Sequence, residues 1–122
     1  MNDARRDAYA FGLRAETIAT LWLRAQFYEI LARNYRIQGG EIDIIARRGR
    51  AVVFVEVKAR SALDDAATAI TAQKEKRIAR AANRWVATHP WAMRCDLRAD
   101  AIFVAPGKIP RHIVAAFDLN IG

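Results

Sequence analysis

Two strongly apolar runs with charges inside them limit what this chain can fold into. The first reads Ile42-Asp43-Ile44-Ile45-Ala46 and the second Val52-Val53-Phe54-Val55-Glu56-Val57-Lys58. Both are rich in β-branched residues, and the turn-forming Arg47-Arg48-Gly49-Arg50 lies between them. They predict the arms of a β-hairpin, Glu41 to Ala46 and Val52 to Ala59. Strands this apolar pack on a core, yet Asp43, Glu56 and Lys58 sit in their interiors. Burying a charge is costly unless it is paired or binds a metal. Packing alone does not explain three of them.

Pairing Arg48 with Ala51 sets Asp43 opposite Glu56 and Glu41 opposite Lys58. Residues directly opposed in a hairpin have Cβ atoms about 4.5–5.5 Å apart. Alternation then puts Asp43, Glu56 and Lys58 on one face, with Ile42, Ile44, Val55 and Val57 on the other. Two carboxylates that close repel unless a cation lies between them. An oxygen-only donor set suits Mg²⁺ or Mn²⁺, which keep waters and lean on substrate phosphate. Strand, acid, strand, acid-x-lysine is what metal-dependent phosphodiester hydrolysis requires. The same charges would also serve as ordinary ion pairs, Asp43–Lys58 or Glu41–Lys58, on a solvated face, and a one-residue slip in register would separate them. Two more charges stand in apolar company. Glu16 shares a helical line with Gly12, Ala19 and Leu23, and Lys74 lies on the stripe Ala67-Ile70-Lys74-Ile78-Ala81-Trp85.

The rest of the chain reads as α/β in the order α-β-β-β-α-β-β. A helix is expected from about Ala4 to Ala25 and a strand from Phe27 to Ile37, broken by Gly39-Gly40. After the hairpin a second helix runs from about Asp65 to Thr88 and stops before Pro90. Leu97 to Val104 and His112 to Phe117 complete the strands. With 122 residues, no repeats and no linker, a single domain over residues 1–122 is expected. No apolar run approaches a membrane span, and the N-terminus lacks the apolar core of a signal peptide. The single Cys95 excludes an internal disulfide framework. A cytoplasmic protein without membrane contact is therefore expected. The net charge of +7 favours a polyanionic partner, and the basic residues cluster around the hairpin and from Lys74 to Arg84.

At this point the residues resemble a family. Gly39-Gly40-Glu41-Ile42-Asp43-Ile44-Ile45 followed by Val53-Phe54-Val55-Glu56-Val57-Lys58-Ala59-Arg60 looks like the signature of the YraN-like bacterial proteins. That family is similar to archaeal Holliday junction resolvases within the PD-(D/E)XK nuclease superfamily. Weaker matches run along nearly the whole chain: Gly12 to Glu16, Arg33-Asn34, Lys74, Arg98-Ala99-Asp100, and His112-Ile113 with Ala116-Phe117. Ala99 stands where the pattern usually has Phe, and Gln26 where a Gly usually opens the first strand.

The resemblance implies a restriction-endonuclease-like core, a mixed sheet flanked by helices, with Glu16, Asp43, Glu56 and Lys58 converging at one edge. The expected activity is hydrolysis of DNA phosphodiester bonds by a Mg²⁺-dependent, resolvase-like endonuclease. Asp43 and Glu56 would hold Mg²⁺ or Mn²⁺, with the Val57 carbonyl as a further ligand and Glu16 acting through water. Lys58 would orient the nucleophile, and Arg47, Arg48, Arg50, Arg60 and Lys74 would bind the nucleic acid. A homodimer would suit branched DNA, in which two strands must be cut. Two other classes fit the same residues: a non-catalytic nucleic-acid-binding module on this scaffold, and a structural or interaction protein whose acidic cluster is ion-paired.

Overall fold

Two helices pack on opposite faces of a five-stranded sheet in the computed structural model, which describes residues 3–60 and 70–121. The elements are α1 (Asp3–Ala25), β1 (Glu29–Ile37), β2 (Gly40–Arg48), β3 (Ala51–Ala59), α2 (Ala72–Thr88), a 3₁₀ turn (Pro90–Arg94), β4 (Asp96–Val104) and β5 (Arg111–Phe117). The strands lie side by side in sequence order. β1, β2 and β3 form an antiparallel meander, β4 adds parallel to β3 after the α2 crossover, and β5 returns antiparallel. This is the α/β architecture and element order expected from the sequence. Among the described residues, no helix is long and apolar enough to cross a membrane.

Each face has its own core. On one side Ala15, Ala19 and Leu23 of α1, spaced at helical intervals, meet Ile44, Ala46, Val53, Val55, Ile102 and Val104. On the other, Ile78, Ala81, Ala82, Trp85 and Val86 of α2 meet Ile42, Ile45, Val52 and Phe54. Gly40 lets α2 seat directly on the start of β2. A Cβ there would lie 2.6 Å from the Arg77 carbonyl oxygen and 3.0 Å from Ala81 N, both backbone atoms.

Two boundaries differ from expectation. α1 ends with Phe27 at φ +68° and bonds from Phe27 N to Arg24 O and from Tyr28 N to Leu23 O. This helix-terminating pattern delays β1 to Glu29 and buries Tyr28 beside Leu23. α2 starts at Ala72 and not near Asp65, because the Thr71 hydroxyl caps it by accepting the Lys74 N–H. Ile70 is not helical, and residues 65–69 of the expected helix lie outside the described residues.

Candidate active site

The expected hairpin register holds, and it stops where the site begins. β2 and β3 pair from Arg48↔Ala51 to Ile44↔Val55 around the Gly49-Arg50 turn. One residue further, Asp43 Oδ2 accepts the Val57 N–H at 2.8 Å. A carboxylate has taken the place of a ladder carbonyl, so Asp43 lies at the mouth of two separating strands. Glu41 does not meet Lys58, as the continued ladder would have required.

Asn34, on the neighbouring strand β1, marks an irregularity at the same level. Arg33↔Ile44 and Tyr35↔Ile42 are paired, but the intervening Asn34–Asp43 pair is missing from the ladder. Asn34 has φ +52°, the left-handed conformation that asparagine tolerates better than other residues with a side chain. The side chains consequently change faces: Ile44 joins the core under α1, whereas Ile42 joins the core under α2. The expectation that Ile42 and Ile44 share a face is thereby corrected. Asn34→Gly should keep the fold at full stability, whereas Asn34→Val should cost about 1–2 kcal/mol. Urea denaturation of the two variants reads this directly, and equal stability would refute the strain account.

Four carboxylates gather at this mouth. Glu56 is on the α2 side, only 3% exposed, with Lys58 Nζ 3.3 Å and Lys74 Nζ 3.6 Å from its Oε1. Lys74 also donates to Glu41 Oε1 at 2.6 Å, and Arg36 Nε lies 4.0 Å from Glu41 Oε2. Glu16 approaches from α1, flanked by the buried Ala15 and Ala19. Asp43 is near enough to both Glu16 and Glu56 for its charge to act on each.

The electrostatics follow from burial and crowding. Burial and then the Asp43 charge push the Glu56 carboxyl up to about 7, against the pull of Lys74 and Lys58. The same two causes raise Glu16, with Arg33 and Arg36 opposing. Glu41 is lowered, chiefly by its hydrogen bond with Lys74. Burial alone would lower Lys74, but Glu41 and Glu56 hold it above the ordinary lysine value.

Glu56 therefore makes the metal-free protein sensitive to pH. Below about pH 4.5 folded and unfolded states both hold its proton; between there and pH 7 only the folded state does. Stability should fall by roughly 3 kcal/mol as pH rises through that window and then level off. Glu56→Gln should flatten the slope. Urea denaturation in a chelating buffer across this range tests it, and a wild-type slope equal to that of the variant would refute it.

The donor chemistry fits a hard divalent cation. Glu16 Oε1 and Glu56 Oε2 are buried without a hydrogen-bond partner, and the Asp43 charge acts on both groups. Such oxygens are costly to leave unpaired and are what Mg²⁺ or Mn²⁺ takes. Among the described residues, no three His, Cys, Asp or Glu side chains are gathered as a ready metal cluster.

The basic residues expected to bind nucleic acid are divided. Lys74 sits within the acidic cluster. Arg60, just past β3, stacks over Phe103 with its guanidinium carbon 5.9 Å from the ring centroid. Arg47, Arg48 and Arg50 occupy the far end of the hairpin, of which Arg47 is nearest to Asp43, four strand residues or about 13 Å away. Each is engaged locally: Arg47 with Gly49 O and the Trp91 ring, Arg48 with Gln26 O and the Tyr28 ring, Arg50 with Arg94 O. Sequence reasoning gave Glu41 no site role, noted Arg33-Asn34 only as a family match and Arg77 only within a basic stretch, and missed Arg36. The Gly-Gly-Glu-Ile-Asp run was the available signal for Glu41, since two acids flank one isoleucine there.

Residues 15–104 match the family described as "Uncharacterised protein family UPF0102". The chain belongs to the UPF0102 family. A UPF0102 protein of Methylocella silvestris is 55% identical over 120 residues, covering 98% of this chain and 97% of that one. One from Methylobacterium nodulans is 53% identical over 116 residues, covering 95% and 90%. Another, from Bradyrhizobium diazoefficiens, is 50% identical over 113 residues, covering 93% and 85%. The YraN-like resemblance read from the acidic motifs is thus family membership. The UPF0102 match contains Glu16, Glu41, Asp43, Glu56, Lys58 and Lys74 together.

Proposed function

We propose that this UPF0102 protein is a Mg²⁺- or Mn²⁺-dependent nuclease that hydrolyses DNA phosphodiester bonds. The observation that carries this reading is the opened hairpin: Asp43 and Glu56 crowd at the point where β2 and β3 part, and Glu16 and Glu56 each bury an unpaired oxygen there. Asp43 and Glu56 would hold the ion, helped by the Val57 carbonyl and by Glu16 through water. When bound, the ion supplies charge neutralisation at the scissile phosphate and lowers the pKa of the attacking water.

The chain's own groups do the rest. Lys58 offers its ammonium beside Glu56, where it can orient the water and offset negative charge in the transition state. Deprotonated Glu56 is needed for metal binding, so activity should rise as pH climbs through about 7. Lys74 competes for Glu56 and must yield it, remaining on Glu41 or turning to a substrate phosphate. That lysine bridge also favours a second reading, in which the acidic cluster is only an ion-pair network. Cleavage of linear duplex, single-stranded and four-way-junction DNA with Mg²⁺ and with Mn²⁺ tests the proposal. Metal-dependent cutting supports it; metal and DNA binding without cutting of any of these substrates turns the reading into a binding module.

A further inference from the structure

The structure gathers a second set of arginines beside the acidic mouth, drawn from two elements that are distant in sequence. Arg33 and Arg36 lie on β1, the exposed edge of the sheet. Their charges reach Glu16, and Arg36 also touches Glu41 at 4.0 Å. Arg77 and Arg80 lie one helical turn apart on the flank of α2 that overhangs the β1–β2 turn. The Arg77 charge acts on Glu41, and Arg80 Nη1 lies 3.3 Å from Gly39 O. The two rows meet at Gly39–Glu41 because Gly40 lets α2 seat on β2 without a side chain between them.

We propose that this two-row arginine surface carries the backbone of duplex DNA into the acidic site. The proposal rests on the nuclease reading for the purpose of the contact. Two observations favour it over the hairpin tip. The charges of Arg33, Arg36 and Arg77 reach the carboxylates, with Arg80 beside them at Gly39, whereas Arg47, the nearest of the hairpin arginines, is four strand residues from Asp43. All three hairpin arginines spend their guanidinium groups on backbone carbonyls, and two also on rings, whereas of the second set Arg80 reaches a carbonyl, and Arg36 is 73% exposed with only a 4.0 Å contact among the described residues. Such an exposed pair is worth little and gives way readily to a phosphate, which a guanidinium fork grips well. Edge-strand charges also discourage sheet-to-sheet association, and that role could account for Arg33 and Arg36. It gives no reason for a facing row on α2.

The test is DNA binding by fluorescence anisotropy in chelating buffer, where no cutting occurs, over a range of salt. One variant carries Arg33→Ala, Arg36→Ala, Arg77→Ala and Arg80→Ala; a second carries Arg47→Ala, Arg48→Ala and Arg50→Ala. The first should bind duplex DNA at least about tenfold more weakly and flatten the logarithmic salt dependence by about 0.9 for each phosphate it no longer neutralises. The hairpin variant should stay within about twofold of wild type. A four-lysine version of the first set should recover much of the affinity, which separates missing charge from damaged folding. A larger effect in the hairpin variant, an unchanged salt slope in the first, no DNA binding by wild type, or an equal effect confined to duplex RNA would each overturn the proposal. Arginine-dependent binding with no cleavage under Mg²⁺ would keep this surface and reject the nuclease. Cleavage indifferent to these arginines would do the opposite.

Discussion

Asp43→Asn is expected to abolish metal-dependent DNA cleavage, by on the order of 10³-fold or more, while leaving the metal-free protein as stable as wild type or more so. Asparagine keeps an oxygen that can accept the Val57 N–H, so the hairpin mouth survives. It also removes a charge that presses on Glu16 and Glu56. What disappears is the stabilisation by metal. Wild type should gain about 2.7 kcal/mol at a Mg²⁺ or Mn²⁺ concentration a hundred times its dissociation constant. Asp43→Asn should gain far less at the same concentration, as followed by thermal unfolding with and without the ion. Lys58→Ala should still respond to metal yet fail to cut, because its role begins only with phosphate and water in place. A cluster serving only as ion pairs gives the reverse pattern: metal changes nothing, and removing one charge lowers stability.

The parts of this site that were legible in the sequence were those encoded by short-range rules. A two-residue turn at Gly49-Arg50 sets the β2–β3 register as far as Ile44↔Val55, which leaves Asp43 and Glu56 next along the two strands. The alternation of Val52 to Val55 between two cores fixes the side on which Glu56 and Lys58 project. What was illegible depended on single dihedral angles or on where separate elements meet. The left-handed turn at Asn34 has no periodic signal, yet it moves Ile42 to the other face and interrupts the β1–β2 ladder at Asp43. The cap at Thr71 overrode an apolar pattern that continued upstream through Ile70. Charge clustering along the chain pointed to the hairpin, with Arg47, Arg48 and Arg50, and separately to the stretch from Lys74 to Arg84. The fold brings Arg33 and Arg36 together with Arg77 and Arg80 of the second stretch, a meeting of separate elements that no local window could show.

The largest fall in stability is expected from a residue outside the acidic mouth. Asp100 on β4 is fully buried, yet its carboxylate is fully employed. Arg98 donates to both oxygens at 2.8 and 2.9 Å, His112 Nε2 lies 2.7 Å from Oδ2, and the Ala115 N–H reaches Oδ1 at 3.0 Å. Arg98 in turn donates to the Tyr28 hydroxyl at 2.8 Å, tying β4 to the entry of β1. Burial alone would raise the Asp100 carboxyl, but His112, Arg98 and the Ala115 N–H outweigh it and hold it low. Its contribution is therefore present above the unfolded value of 3.8 and lost as pH falls through the lower folded value, opposite in sign to that of Glu56. Asp100→Ala strands a guanidinium, an imidazole and a backbone N–H at once, and should cost about 3–5 kcal/mol. Asp100→Asn keeps one acceptor and should cost less. β4 runs parallel beside β3, pairing Ala101 with Glu56 and Phe103 with Lys58, so the network braces the strand that carries both site residues. Urea denaturation measures the destabilisation, and metal titration of the folded fraction identifies its origin. Asp100→Ala should bind Mg²⁺ or Mn²⁺ with wild-type affinity wherever it is folded; weakened affinity there would mean that Asp100 belongs to the metal site itself.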